Sequence, residues 1–363
     1  MPMLVSHAVP QSMVPVIADT SFNRLCVVDD YISFIWSRRY YDVGDFEMVV
    51  SMYSPIMQYV ARGYYVMRDG FDEVGIIERV AITQDVSNQE VAVISGRFLS
   101  SILARRIIAV QTQVSGTIEA CVKKLVNENA ISPNDSNRAI PGLQYGTWSI
   151  PATTMQQQFT GKNLLDAMQD VCKQYKLGFK IALTENNAFS LILYAGIDRS
   201  YNQTSNPYVI FSNEYDNLAS SDYSEDYENI VTDVLVAGEG EGLDRKTVWA
   251  SNGTNSGLNR YEIYVDARNA STNNGAISDT VYYAQLREEG LEQITDVMQA
   301  FAGEVYLTNY ELGTDFDVGD VVVVENTRWG VSANARLVEV IESVSEAGVY
   351  TVTPTFDIGG AAL

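Results

Sequence analysis

Between Ile32 and Arg106 the chain alternates apolar runs with turn dipeptides, which restricts this stretch to antiparallel β structure. Phe46, Met48 and Val50 alternate with Glu47 and Val49 just after Gly44-Asp45. That is the period of a half-buried strand. Tyr64–Met67 and Gly75–Thr83 continue the pattern, with Asp69-Gly70 as a turn between them, and Glu90–Gly96 adds a further strand. Upstream, Leu25–Val28 and Ile32–Trp36 are short strands around a predicted turn at Asp29-Asp30. The Ser- and Leu-rich residues after Gly96 predict a short helix to Arg106. No residue in the stretch is chemically poised, so it reads as a scaffold.

Beyond Arg106 the period changes. Ser115 is the predicted cap of a helix with Ile118, Cys121, Val122, Leu125 and Val126 on one face. The segment 129–158 is polar and turn-rich, with Pro133, Pro141 and Pro151. Thr160 is the predicted cap of a second helix carrying Leu164, Leu165, Met168, Cys172 and Tyr175, with Gly178 as its stop. Phe179–Thr184 and Ala188–Tyr194 read as a hairpin, so residues 107 to about 195 form a small α/β unit. Further strands are predicted at Val209–Phe211, Ile230–Ala237, Lys246–Ala250 and Tyr261–Ala267. A helix follows from Ser278 to Phe301, on Leu286, Leu291, Ile294, Val297, Met298 and Phe301. The end is β again at Gly303–Leu307, Val321–Glu325, Arg336–Ser343 and Gly348–Thr353.

With 363 residues the chain has room for two to four cored domains. Its 24 basic and 46 acidic residues give a net charge of −22, which repels nucleic-acid backbones and disfavours specific DNA or RNA binding. No apolar run is long enough to cross a bilayer, and the N-terminus has no secretory pattern. Cys26, Cys121 and Cys172 are odd in number and unpaired in spacing, as expected of buried thiols in a reducing compartment. A single histidine, His7, argues against a histidine zinc site or a Ser-His nucleophile, and no cofactor is expected.

The chemically suggestive clusters have plainer readings. The run Gly238-Glu239-Gly240-Glu241-Gly242 lacks dinucleotide spacing and reads as a hairpin loop. Asp222, Glu225, Asp226 and Glu228 could supply a carboxylate pair for glycoside hydrolysis, but a solvated acidic loop is expected in so acidic a chain. Asp315, Asp317 and Asp320 lack the central glycine and distal glutamate of a calcium loop and read as a turn. The Asn-x-Ser/Thr triplets at Asn202, Asn252 and Asn269 need a secretory route the sequence does not show. Trp36, Arg38, Arg39, Arg97, Arg105 and Arg106 are expected at contacts with carboxylates of a neighbouring subunit. A secreted carbohydrate-binding or glycoside-hydrolysing β-protein and a calcium-binding adhesin module are the alternative readings.

Several segments in order resemble the tail-tip or baseplate hub family of long-tailed bacteriophages. They are Trp36-Ser37-Arg38-Arg39-Tyr40 with Gly44-Asp45-Phe46-Glu47, then Gly75-Ile76-Ile77-Glu78, and Ser95-Gly96-Arg97 with Leu103 and Arg105-Arg106. Gly161-Lys162-Asn163-Leu164-Leu165, Phe211-Ser212 with Asn217-Leu218, Asn229, Gly238-Glu239-Gly240, Arg260-Tyr261-Glu262 and Val318-Gly319-Asp320 complete the series. The resemblance implies a mixed, β-rich α+β fold with two barrel-like tube domains and two α/β insertions. Residues 1–106 would be the first tube domain and 107–200 the first insertion. Residues 201–270 with 303–363 would be the second tube domain, and 271–302 the helical part of the second insertion. It further implies a non-enzymatic homotrimer in the virion tail, between a distal tail ring and a spike or fibre. Tape-measure protein would be a partner in its lumen, and DNA would only pass through. No lysin segment follows the last predicted strand, so cell-wall cleavage would fall to a separate chain.

Overall fold

The computed structural model describes residues 10, 13–84, 89–296, 298–306 and 309–358. His7, Val297 and Leu307 lie outside them. Strand Asp45–Ser51 buries Phe46, Met48 and Val50 and exposes Glu47, as the alternation requires. It pairs with Ser33–Arg39 on one side and Glu90–Arg97 on the other, and Arg79–Gln84 follows beyond. A second sheet runs in the order Arg24–Val27, Pro15–Ala18, Tyr65–Arg68, Gly75–Ile76. Phe34, Trp36 and Phe46 share a core with Ile17, Val66 and Ile76.

Two strand expectations change here. Asp29-Asp30 joins strands of different sheets rather than closing a hairpin. The stretch 75–83 is split, with Gly75–Ile76 in one sheet and Arg79–Gln84 in the other. Gly96 marks where this crossing passes: a Cβ there would stand 1.7 Å from the Ile76 carbonyl oxygen. Only a residue without Cβ lets the two backbones approach so closely.

The C-terminal strand Val331–Val344 is the longest at 14 residues. Along one edge it pairs first with Val321–Asn326 and then with Ser33–Arg39; along the other it pairs with Tyr350–Asp357. The result is one ten-stranded sheet built from both ends of the chain.

The segment expected as the first insertion carries α1 (Ile118–Val126) and α2 (Leu164–Tyr175). Thr117 and Asn163 cap them, not Ser115 and Thr160. Ser115 is held in a strand opposite Gln156, and the carboxamide of Asn163 accepts from the Leu165 amide. α2 ends on Lys176 in the left-handed region (φ 55°), two residues before Gly178. Strand Thr154–Phe159 was not legible in its turn-rich surroundings. The α1 and α2 side chains Val122, Leu125, Leu164 and Met168 belong to the same core as Trp36 and Ile94.

Strands Asp222–Asp226 and Met298–Ala302 lie antiparallel, and between them the chain makes a separate excursion. A bridge between Val231 and Thr295 closes its neck. Strands Thr247–Ser251, Asp233–Ala237 and Glu262–Asp266 pair only with one another and pack on α3 (Asp279–Leu291). Their core is Val234, Val236, Ala250, Tyr282 and Leu286. Of the strands expected between 201 and 270, Ile210–Ser212 pairs with Val321–Asn326 in the large sheet, and the three after it pair with one another and pack on α3. The helix expected to run to Phe301 stops at Leu291, and Met298–Ala302 is a strand. The apolar spacing at 298 and 301 suits a helix, but Phe301 is buried with Phe356 in the sheet core.

Gly96→Ala should cost about 3 kcal/mol of stability, because the clashing atom is backbone and cannot swing away. Equilibrium unfolding in urea measures this, and a loss below the size of an ordinary surface substitution contradicts the close-approach account.

Candidate functional site: a charged junction between the two ends of the chain

Strand Ser33–Arg39 carries three of the residues expected at a subunit contact, and the structure turns two of them inward. Trp36 is fully buried, its ring 4.4 Å from that of Phe98 and 6.2 Å from that of Phe46. A side chain enclosed by its own chain cannot anchor a neighbour, so Trp36 is corrected to a core residue. Arg38 is buried too, and its Nη1 donates to Asp317 Oδ1 at 2.7 Å. Arg39 donates to Glu339, its cross-strand partner, at 2.7 Å and also to Asp45.

A bidentate pair lies deeper. Arg68 Nη1 and Nη2 donate to the two carboxylate oxygens of Glu342 at 2.9 Å each, with almost no exposure of either side chain. The Arg68 guanidinium lies 4.0 Å from the Phe71 ring centroid, and the Tyr350 hydroxyl is 3.1 Å from Glu342. Burial pushes the Glu342 carboxyl up, but hydrogen bonds and charge from Arg68 outweigh it and hold the group below the usual carboxylate range. No signal in the sequence joins residues so far apart.

Arg38, Arg39 and Asp317, with Glu73 and Lys180, border a cavity of about 300 Å³. Lys180 reaches Asp72 at 2.8 Å, and Glu73, raised by burial, lies beside them. Tyr40 pins the same junction: its hydroxyl donates to the Lys176 carbonyl at 3.0 Å and accepts from the Gly196 amide at 3.1 Å. A Cβ on Gly178 or Gly319 would strike the Tyr40 ring, at 2.4 and 2.3 Å. Arg38, Arg39, Arg68 and Lys180 each face a carboxylate, an arrangement that fixes the position of the strands and turns that carry them.

The remaining expected residues fall elsewhere. Arg97 pairs with Glu78 at 2.8 and 2.9 Å yet stays half exposed. Arg105 is exposed and makes no ion pair among the described residues, while Arg106 donates to backbone carbonyls of Arg138 and Ala139. Asp317 and Asp320 are engaged by Arg38 and Arg199, so the loop that loosely matched a calcium site is a set of ion pairs. Asp222, Glu225 and Asp226 sit on a largely exposed edge strand. The run 238–242 belongs to the loop between two paired strands, as expected.

Arg68→Met should remove about 3–5 kcal/mol, because it leaves a buried carboxylate without its cation. In the parent chain Glu342 contributes stability above its ordinary pKa of 4.5 that is lost as pH falls through its lowered value. Without Arg68, burial raises the carboxyl instead, so the deficit of the variant should narrow from pH 7 toward about 4.5. Urea titrations across that range check the sign, and a deficit independent of pH contradicts it.

The fold has solved counterparts. A tail protein from Neisseria meningitidis MC58 superposes with a TM-score of 0.59 at 15% identity, covering 96% of this chain and 97% of that one. Prophage MuSo2 43 kDa tail protein from Shewanella oneidensis gives 0.54 at 11% identity, over 94% and 97%. Prophage tail protein gp18 from Listeria monocytogenes EGD-e gives 0.52 at 13%, over 96% and 95%. No curated protein matches the sequence. These likenesses agree with the phage-tail resemblance read from the sequence. Residues 14–356 match the family model described as Siphovirus ReqiPepy6 Gp37-like protein, and the chain belongs to that family.

Proposed function

We propose that the chain is a structural subunit of a siphovirus tail, located in the virion at the tail tip, where three copies close into a ring around the channel. The ring adapts a six-fold tail tube and distal tail ring to a three-fold spike or fibre, and tape-measure protein and DNA pass through it without specific binding. Family membership and the tail-protein folds support the location. The observation that carries the ring is the ten-stranded sheet, whose longest run of paired strands ends, among the described residues, in two unlike edge strands.

One edge strand, Arg79–Gln84, exposes Val80 and Ile82, at 40% and 58%. Arg79 is exposed on it; Arg97, paired with Glu78, and Arg105 lie close by. The other, Asp222–Asp226, is acidic, with Asp222, Glu225 and Asp226 along it. An unpaired strand edge is a template for another chain. Contact between two different surfaces is head-to-tail, and such contacts generate rings when the rotation closes. In this reading Arg97 and Arg105 keep the intersubunit role expected of them. The excess of carboxylates faces the channel and weakens adhesion of passing DNA.

Sedimentation of the purified chain at high concentration should give three times the 40.2 kDa of one copy. Arg79→Glu with Arg105→Glu should shift it to monomer, and adding Asp222→Arg with Asp226→Arg should restore the trimer. A parent chain that is monomeric at every concentration, or a trimer indifferent to the reversal, contradicts the edge pairing.

A further inference from the structure

The two insertions meet across a contact unlike the cores on either side of it. The first insertion offers glutamines: Gln157 and Lys162 reach Glu292, Gln174 reaches Glu288 at 2.9 Å, and Gln158 bonds to Ser271. The second offers Glu288, Glu289 and Glu292 from α3 and its C-terminal end. Two open hollows border the contact. One of about 250 Å³ lies beside Lys162, Glu289 and Glu292; another of about 480 Å³ lies between α1 and α3, beside Cys121 and Gln285. The contact also leaves buried polar atoms without partners, Gln174 Oε1 and Gln285 Oε1 among them.

A polar contact bordered by open hollows and holding unsatisfied buried groups is a weak one, and units joined that way move relative to one another unless something holds them. The excursion carrying α3 is tethered to the large sheet through one strand pair and its neck bridge. Its own sheet and α3 have a separate core, so it can shift as a unit.

We propose that the contact between the insertions is a releasable clasp, in which Glu289 and Glu292 are enclosed with the single Lys162 that they share with Asp170, and the charge they carry sets how tightly it closes. The Glu292 side chain is nearly enclosed, 3.4 Å from Lys162, which also pairs with Asp170 of α2. Asp170 and Tyr175 face the pair from α2, Lys162 from the loop before it, Asp266 from the end of its strand, and Glu288 from α3 itself. One lysine therefore serves Asp170, Glu289 and Glu292.

Burial, with repulsion from Glu292, raises Glu289 from 4.5 to about 7, and burial raises Glu292 in the same direction. A carboxyl whose pKa is raised in the closed state binds its proton more tightly there. Closure is thus favoured at low pH and loosens as pH rises from about 4.5 to about 7, with no further change from Glu289 above that. Lys162, raised from 10.5, stays charged throughout this window.

Hydrogen-exchange protection, corrected for intrinsic rates, tests the clasp in the intact chain. Protection of segments 154–162 and 268–274 should fall between pH 5 and pH 7.5 by on the order of a hundredfold, the scale set by raising one carboxyl from 4.5 to about 7. Glu289→Gln with Glu292→Gln should hold protection at its low-pH level across the range, while strand Glu90–Arg97 in the main sheet should be unaffected. Protection that does not change with pH in the parent chain overturns the proposal. So does an equal fall in the double glutamine variant, which would assign the effect to other groups.

Discussion

The architecture depends on the pairing of the long C-terminal strand with the first long strand: Glu339 to Val344 lie against Arg39 to Phe34. Without that ladder the chain would hold two sheets, one built near its start and one near its end. With it, they are a single surface. The buried and half-buried charges reinforce the same seam, since Arg38–Asp317, Arg39–Glu339 and Arg68–Glu342 all join the N-terminal strands to the C-terminal region. Desolvation makes such pairs weak contributors to net stability, but costly to break. Their effect here is to penalise any register in which the ends meet differently.

The insertions are attached to this seam unequally. The first shares a continuous core with the N-terminal sheets, and Tyr40 locks its end against Gly319. The second has a small core of its own and touches the first through glutamines and carboxylates. One shares the main core; the other is an appendage with its own. In the proposed ring, a subunit that first holds a channel and later lets material through needs both kinds of attachment.

Local structure was largely legible from residues. The alternation at Phe46, Met48 and Val50 marked a true strand, and the apolar stripes of α1 and α2 marked true helices. Helix caps shifted to Thr117 and Asn163, because Ser115 is committed to a strand ladder that no local signal announces. The helix drawn to Phe301 failed where positions 298 and 301 fitted both a helix and a strand, and long-range pairing decided. The candidate site was half visible. Arginine-rich Trp36–Tyr40 stood out, but whether its side chains point to a neighbour or inward depends on Asp317 and Glu339, which lie 279 and 300 residues from the arginines they engage. Arg68 gave no sign at all.

The central claim is that one sheet, joined at this seam, forms a segment of tube wall whose open edges meet the next copy. Electron cryo-microscopy of the assembled tail tip tests it most directly. The account predicts three copies around the channel, with Arg79–Gln84 of each beside Asp222–Asp226 of the next and carboxylates toward the lumen. A tip in which both edges face solvent, or in which the strand pairing between 33–39 and 339–344 is exchanged between copies, would contradict it.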